Sequence, residues 1–241
     1  MQPDPRFLMA YCERLGRPDF WAEPLNAVTN GAFLVAAALG FALWLARKRP
    51  DWLVLALILL MVAIAIGSFL FHTIPNGTTV LMDVLPIQGF ILVYFGLALR
   101  RFLGAPLWLA LIGPLLFFAA SAGFVELAGS RVLRGGVGYL PALLALIGFG
   151  LILAWRGRGA MGALPAGADA AYAARAGLWG DEARRAARGL LIAGGLFTLS
   201  LTLRTLDLPL CSSWPAGLHF LWHMLNASVL GVLVVTGMGR G

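Results

Sequence analysis

Long apolar runs alternate with short clusters of charge along this chain, and that alternation leaves few folds open. Positions 52–71 contain no ionisable residue at all. A bilayer core about 30 Å thick needs roughly 20 apolar residues per helix. Seven stretches meet or approach that length: 25–46, 52–71, 79–99, 105–125, 137–155, 188–203 and 216–236. The sixth is the shortest. Backbone groups in lipid must be paired within the segment, so each stretch is expected to be a helix. The short alternating segments of a membrane β-barrel are absent from the sequence. Composition agrees, with 60% hydrophobic residues, 12% charged and a mean hydropathy of +0.86. A soluble domain has about 45–50% apolar residues and about 25% charged. The expected fold class is an all-α integral membrane protein, a seven-transmembrane helix bundle forming a single domain over 1–241.

The net charge of +7 does not point to nucleic acid, because the basic residues fall between the apolar runs. Arg47, Lys48, Arg49, Arg100, Arg101, Arg156, Arg158, Arg175, Arg184, Arg185, Arg188 and Arg240 share one side, twelve of the eighteen Lys and Arg. Arg6, Arg14, Arg17, Arg131, Arg134 and Arg204 fall on the other. The positive-inside rule then places the N-terminus outside and the C-terminus in the cytoplasm. Residues 1–24 become an extracytoplasmic arm and 156–187 a cytoplasmic loop, flexible or partly helical, with an interfacial helix as the alternative. The first twenty residues lack the apolar core of a cleavable signal peptide. The expected location is a bacterial inner (plasma) membrane.

Polar residues inside the spans are few and share a level. "GSFLFHTIPNGTTVLMDVLPI" carries Ser68 and His72 at the outer end of the second span and Asp83 at the outer start of the third. "LHFLWHMLNA" opens the seventh span, again at its outer end, with His219 and His223. A spacing of four puts both rings on one helix face, one turn apart, and Ser68 and His72 have the same spacing. The chain's three histidines are all in this set. Three protein ligands and an open position make a catalytic zinc site, whose coordinated water has a pKa lowered to about 7. Asp83 is placed to act as general acid and base, and Ser68 to donate a hydrogen bond to an oxyanion. Ionisable groups at membrane depth are costly and mark functional sites.

Blander readings exist for each residue alone. A single membrane histidine commonly makes a polar contact, a serine packs helices, and an aspartate near a helix start suits the macrodipole. A serine hydrolase built on Ser68 and His72 leaves His219 and His223 unused, and no GxSxG motif is present.

The SxxxH of Ser68 and His72, the Asp eleven residues on at Asp83, and the HxxxH of His219 and His223 resemble the alkaline ceramidases. These belong to the CREST superfamily of seven-helix membrane hydrolases, which includes the adiponectin receptors. The resemblance runs from "YCER" to "HFLWHMLNA"; between the motifs only hydrophobicity matches. It implies Zn²⁺ on His72, His219 and His223, with Asp83 serving water and Ser68 steadying the carbonyl. The reaction implied is hydrolysis of ceramide, or a related lipid amide, to fatty acid and sphingoid base. The partners are then a membrane lipid and the bilayer. A receptor or sensor of adiponectin-receptor type, with slight hydrolase activity, is the alternative. A transporter is a third, but the internal repeats and broken helices it needs are not seen.

"YCERLGRPDFWAEPLNAVTN" resembles the Ca²⁺-binding segment of the same family. Glu13 and Glu23 fall on matching positions, and Tyr11 would offer its carbonyl. The pattern departs at Ala10 and near Leu15, with Asp19 as a substitute ligand. Calcium prefers six to eight oxygens; the alternative is a polar arm that caps the first span. Cys12 and Cys211, the two cysteines of the chain, both fall on the outer side, where a disulfide is expected. The family has a similarly placed pair; two free buried thiols are the alternative. Asn26, Asn30, Gln88, Tyr94, Trp222 and Asn226 are candidates to line a cavity or orient ligands, or else to bridge helices. Glu126 and Arg204 are expected at the interface.

Overall fold

The computed structural model describes residues 4–129, 131–158 and 177–238. Seven helices among them are long and apolar enough to cross a bilayer: Pro24–Leu45, Trp52–Thr73, Gly77–Phe102, Leu107–Ala128, Val132–Arg158, Gly180–Leu206 and His219–Met238. The described residues contain no strand. Local chemistry sets several starts. Pro24 opens the first span at a position where a missing N–H costs nothing. Asp51 caps the second, accepting from the Val54 amide at 3.3 Å. In the turn of "IPNG", Asn76 accepts from the amides of Thr78 and Thr79 while Thr79 accepts from the Asn76 amide. That reciprocal capping box begins the third span at a defined point, and so sets the height of Asp83.

Two spans differ from what hydropathy alone suggests. The sixth runs Gly180–Leu206 and is among the longest rather than the shortest. Asp181 and Glu182 in its first turn dilute the apolar signal, yet they suit the positive helix end and the alanines after them favour helix. The cytoplasmic loop expected over 156–187 therefore loses both ends to helix; positions 159–176 lie outside the described residues. The fifth span begins with a 3₁₀ stretch, Val132–Tyr139, before the α-helix Leu140–Arg158.

Most consecutive spans pack side by side, the fourth meeting the fifth mainly at its 132–139 stretch, and the seventh returns to the first and second, forming a ring. The fourth span buries only Ala110, Gly113 and Pro114, and leaves Leu107, Trp108, Leu111, Leu115 and Leu116 exposed. An apolar face of that extent is a liability in water and is ordinary against lipid. Inside the ring, an apolar cavity is lined by Phe33, Phe90, Tyr94, Phe149, Trp222 and Leu233, among others.

The end of the bundle opposite the histidines is tied by Asp51 and Arg101, which form two parallel bonds of 2.6 and 2.7 Å. Burial alone would raise the Asp51 carboxyl pKa. The hydrogen bonds and charge of Arg101 outweigh this and hold it below the usual carboxylate range. A folded pKa below the unfolded value of about 3.9 gives stability that is fully present above that value. It is lost as pH falls through the folded pKa. Thermal unfolding in detergent should therefore show wild type more stable than Asp51→Asn at neutral pH, with the gap closing below about pH 4. A gap independent of pH would mean that the ion pair contributes nothing.

Candidate metal centre

His72, His219 and His223 converge at one end of the bundle, all three buried. One nitrogen of each lies within 4.8 Å of the others, and they form the one such group of three or more His, Cys, Asp or Glu among the described residues. Ring centroids are 4.8–5.2 Å apart. Nitrogens around a tetrahedral zinc, bonded at about 2.0–2.1 Å, sit roughly 3.3 Å from one another, so small side-chain rotations complete the site.

The rings are oriented from behind. His72 meets Glu23 Oε2 through Nδ1 at 2.5 Å, and His223 Nδ1 meets Thr29 Oγ1 at 3.1 Å. Among the described residues, His72 Nε2 and His219 Nδ1 are buried without a hydrogen-bond partner. Buried polar atoms are rarely left so. The His72 ring, held by the Glu23 carboxylate on one nitrogen and unsatisfied on the other, has the arrangement usual for a metal ligand. The donor set suits zinc: all nitrogen, with only three protein ligands.

Asp207 positions His219, although no sequence motif singles it out. This buried carboxylate accepts from the Leu218 amide at 2.6 Å and the His219 amide at 3.0 Å, capping the seventh span from a distance. Its other oxygen accepts from the Cys12 amide at 2.9 Å. Gly217 makes the turn there at φ +70°, and a side chain on it would collide with Asp207 and Cys12. Cys12 and Cys211 are disulfide-bonded with Cα atoms 5.5 Å apart, within the usual range. The arm is thus fastened over the site, and the Tyr11 ring lies 4.0 Å from the His219 ring and 5.0 Å from that of His72.

The residues expected to hold calcium are used otherwise. The Arg14 guanidinium is fully buried and pairs with Glu23. It donates to the carbonyls of His72 at 2.7 Å, Arg17 at 2.9 Å and Asp19 at 3.2 Å. A fixed positive charge already fills that oxygen cage, so the arrangement does not fit a cation there. Glu13 instead caps the first span, accepting from the amides of Leu25 at 2.7 Å and Asn26 at 2.9 Å. Asp19 is exposed, and the Tyr11 carbonyl accepts from the Leu15 amide in a turn. Burial acts to raise the Glu23 carboxyl pKa, but His72, Asn26 and Arg14 hold it below the ordinary range. Glu23 is thus an ionised orienting group. Glu23→Gln should weaken zinc binding by about 10–100-fold, read by competition with a chromophoric chelator. Unchanged affinity would remove Glu23 from that role.

Ser68 and Asp83 join the same end. The Ser68 hydroxyl faces the Asp83 carboxylate as a hydrogen-bond donor. Gly67 permits this approach, because a side chain there would overlap the Met82 carbonyl of the third span. Of the other polar candidates, Tyr94, Trp222 and Asn226 line the apolar cavity, whereas Asn26 bonds Glu23 at 2.9 Å and Asn30 bonds the Asn26 carbonyl at 2.8 Å. Comparison with protein-family models, curated proteins and solved structures gives no match.

Proposed function

We propose that this chain is a membrane-embedded, zinc-dependent hydrolase of lipid amides, cleaving ceramide or a related lipid amide. The observation that carries the reading is the convergence of three buried histidines, two of them with unsatisfied ring nitrogens. The spacing of Ser68, His72, Asp83, His219 and His223, which resembles that of the alkaline ceramidases, gives the reaction class.

His72, His219 and His223 would hold zinc, which would supply Lewis acidity toward the amide carbonyl and the attacking water. Asp83 takes a proton from the attacking water and delivers it to the amine nitrogen as the C–N bond breaks. Water's oxygen becomes part of the fatty acid, and the amine leaves neutral. Ser68 holds Asp83 before substrate arrives and is available to donate to the carbonyl oxygen. The apolar cavity receives the acyl chain. Its lining extends from Trp222 to Leu233 along the seventh span, a rise of about 16 Å. Its walls are mainly aromatic and aliphatic, with Asn226 and the tyrosine hydroxyls as the polar exceptions.

The histidine end faces the extracytoplasmic side of a plasma membrane of bacterial inner-membrane type in this reading. The basic residues favour that orientation, and the Cys12–Cys211 bond at this end suits an oxidising compartment. The test is to supply purified, zinc-loaded protein with a panel of lipid amides in detergent or vesicles. Release of matched fatty acid and amine is expected. Intact lipid after prolonged incubation across the panel would rule out the amidase reading.

A further inference from the structure

We propose that Arg204 forms an anion subsite beside the candidate metal centre, and that the lipid amide cleaved there carries a carboxylate on its amine half. The proposal rests on the amidase reading above and narrows its substrate class.

Arg204 lies in the last turn of the sixth span. Its guanidinium sits over the Trp222 ring at 5.5 Å and over the Tyr139 ring at 6.0 Å. Both contacts are within cation–π range. The backbone leaves it room, since a side chain on Gly136 would lie 3.3 Å from its Nη1. Among the described residues no carboxylate pairs with it, and its one protein acceptor is the Arg134 carbonyl at 3.3 Å. A guanidinium has five N–H donors in a planar fork. Most of that fork remains for a ligand, and a carboxylate is the group it fits in bidentate fashion.

Its neighbours say which ligand. Trp222 and Tyr139 line the apolar cavity, whereas Arg204 lies beyond the two rings. Trp222 also stacks near-parallel on His219, at 6.4 Å and 21°. In this proposal a lipid with its acyl chain in the cavity and its carbonyl at the histidines sends its amine half past Trp222 toward Arg204. The carboxylate of a released fatty acid, by contrast, forms at the scissile carbonyl and stays at the histidines. The geometry therefore selects amides of an amino acid over amides of a neutral amino alcohol.

The experiment compares N-lauroylglycine with N-lauroylethanolamine, which share a chain and differ in the carboxylate. Zinc-loaded wild type should favour the glycine lipid in kcat/KM. Arg204→Gln should lower that ratio by about tenfold or more, mainly through KM, with zinc content measured in parallel. Arg204→Lys, which keeps the charge without the fork, should give an intermediate ratio, and it serves if the glutamine variant does not fold. An unchanged ratio in these variants overturns the proposal, as does an effect confined to inhibition by laurate. If wild type hydrolyses neither lipid, the amidase reading fails, and quenching of tryptophan fluorescence by the two lipids still decides the subsite. A carboxylate preference lost in Arg204→Gln then supports it, and equal binding overturns it.

Discussion

Asp83→Asn is expected to keep zinc bound and to lose about 10²–10⁴-fold in lipid amide turnover, the usual contribution of a positioned acid–base group. Asparagine matches aspartate in shape and still meets the Ser68 hydroxyl, so the close packing of the second and third spans at Gly67 is undisturbed. What it cannot do is accept a proton from water and return it to the amine. The loss should therefore appear in kcat with little change in metal content or thermal stability. Normal turnover in this variant would place the proton transfer elsewhere.

His219→Ala should have the largest effect on the metal. It removes one of three ligands and leaves two, fewer than catalytic zinc sites use. Zinc content measured by elemental analysis should fall from near stoichiometric to a trace, and hydrolysis should disappear with it. The protein should still fold, because Asp207 holds the start of the seventh span through the backbone amides of Leu218 and His219, which alanine retains. Full zinc retention in a folded variant would remove His219 from the ligand set.

The histidine triad is legible in the sequence because helix geometry converts spacing into direction. A spacing of four from His219 to His223, and from Ser68 to His72, fixes a shared face, and counting spans fixes a shared end. The groups that support those ligands were not legible, because they act over distances that spacing does not encode. Cys12 and Asp207 are 195 positions apart and Arg14 and His72 are 58 apart. Arg14 counted only as a loop charge, although it turns inward and takes the space that the acidic residues suggested for calcium. Whether an alternating "CERLG" presents Glu13 or Arg14 to the interior depends on the turn that carries it. Arg204 read as an interfacial residue because its ring partners, Tyr139 and Trp222, come from other spans. The sixth span was underestimated where its first turn becomes charged, since hydropathy cannot separate a helix leaving the membrane from a loop.

If these histidines hold a metal that cleaves a lipid amide, zinc and product must rise and fall together. One sample followed through a cycle of chelation and reloading reads both. Near-stoichiometric zinc is expected in the purified protein, with release of fatty acid and amine that stops when zinc is removed and recovery of both on adding zinc back. Zinc that binds at the triad with no hydrolysis at any stage would contradict the account and favour a receptor or sensor. Hydrolysis that persists without metal would contradict it from the other side.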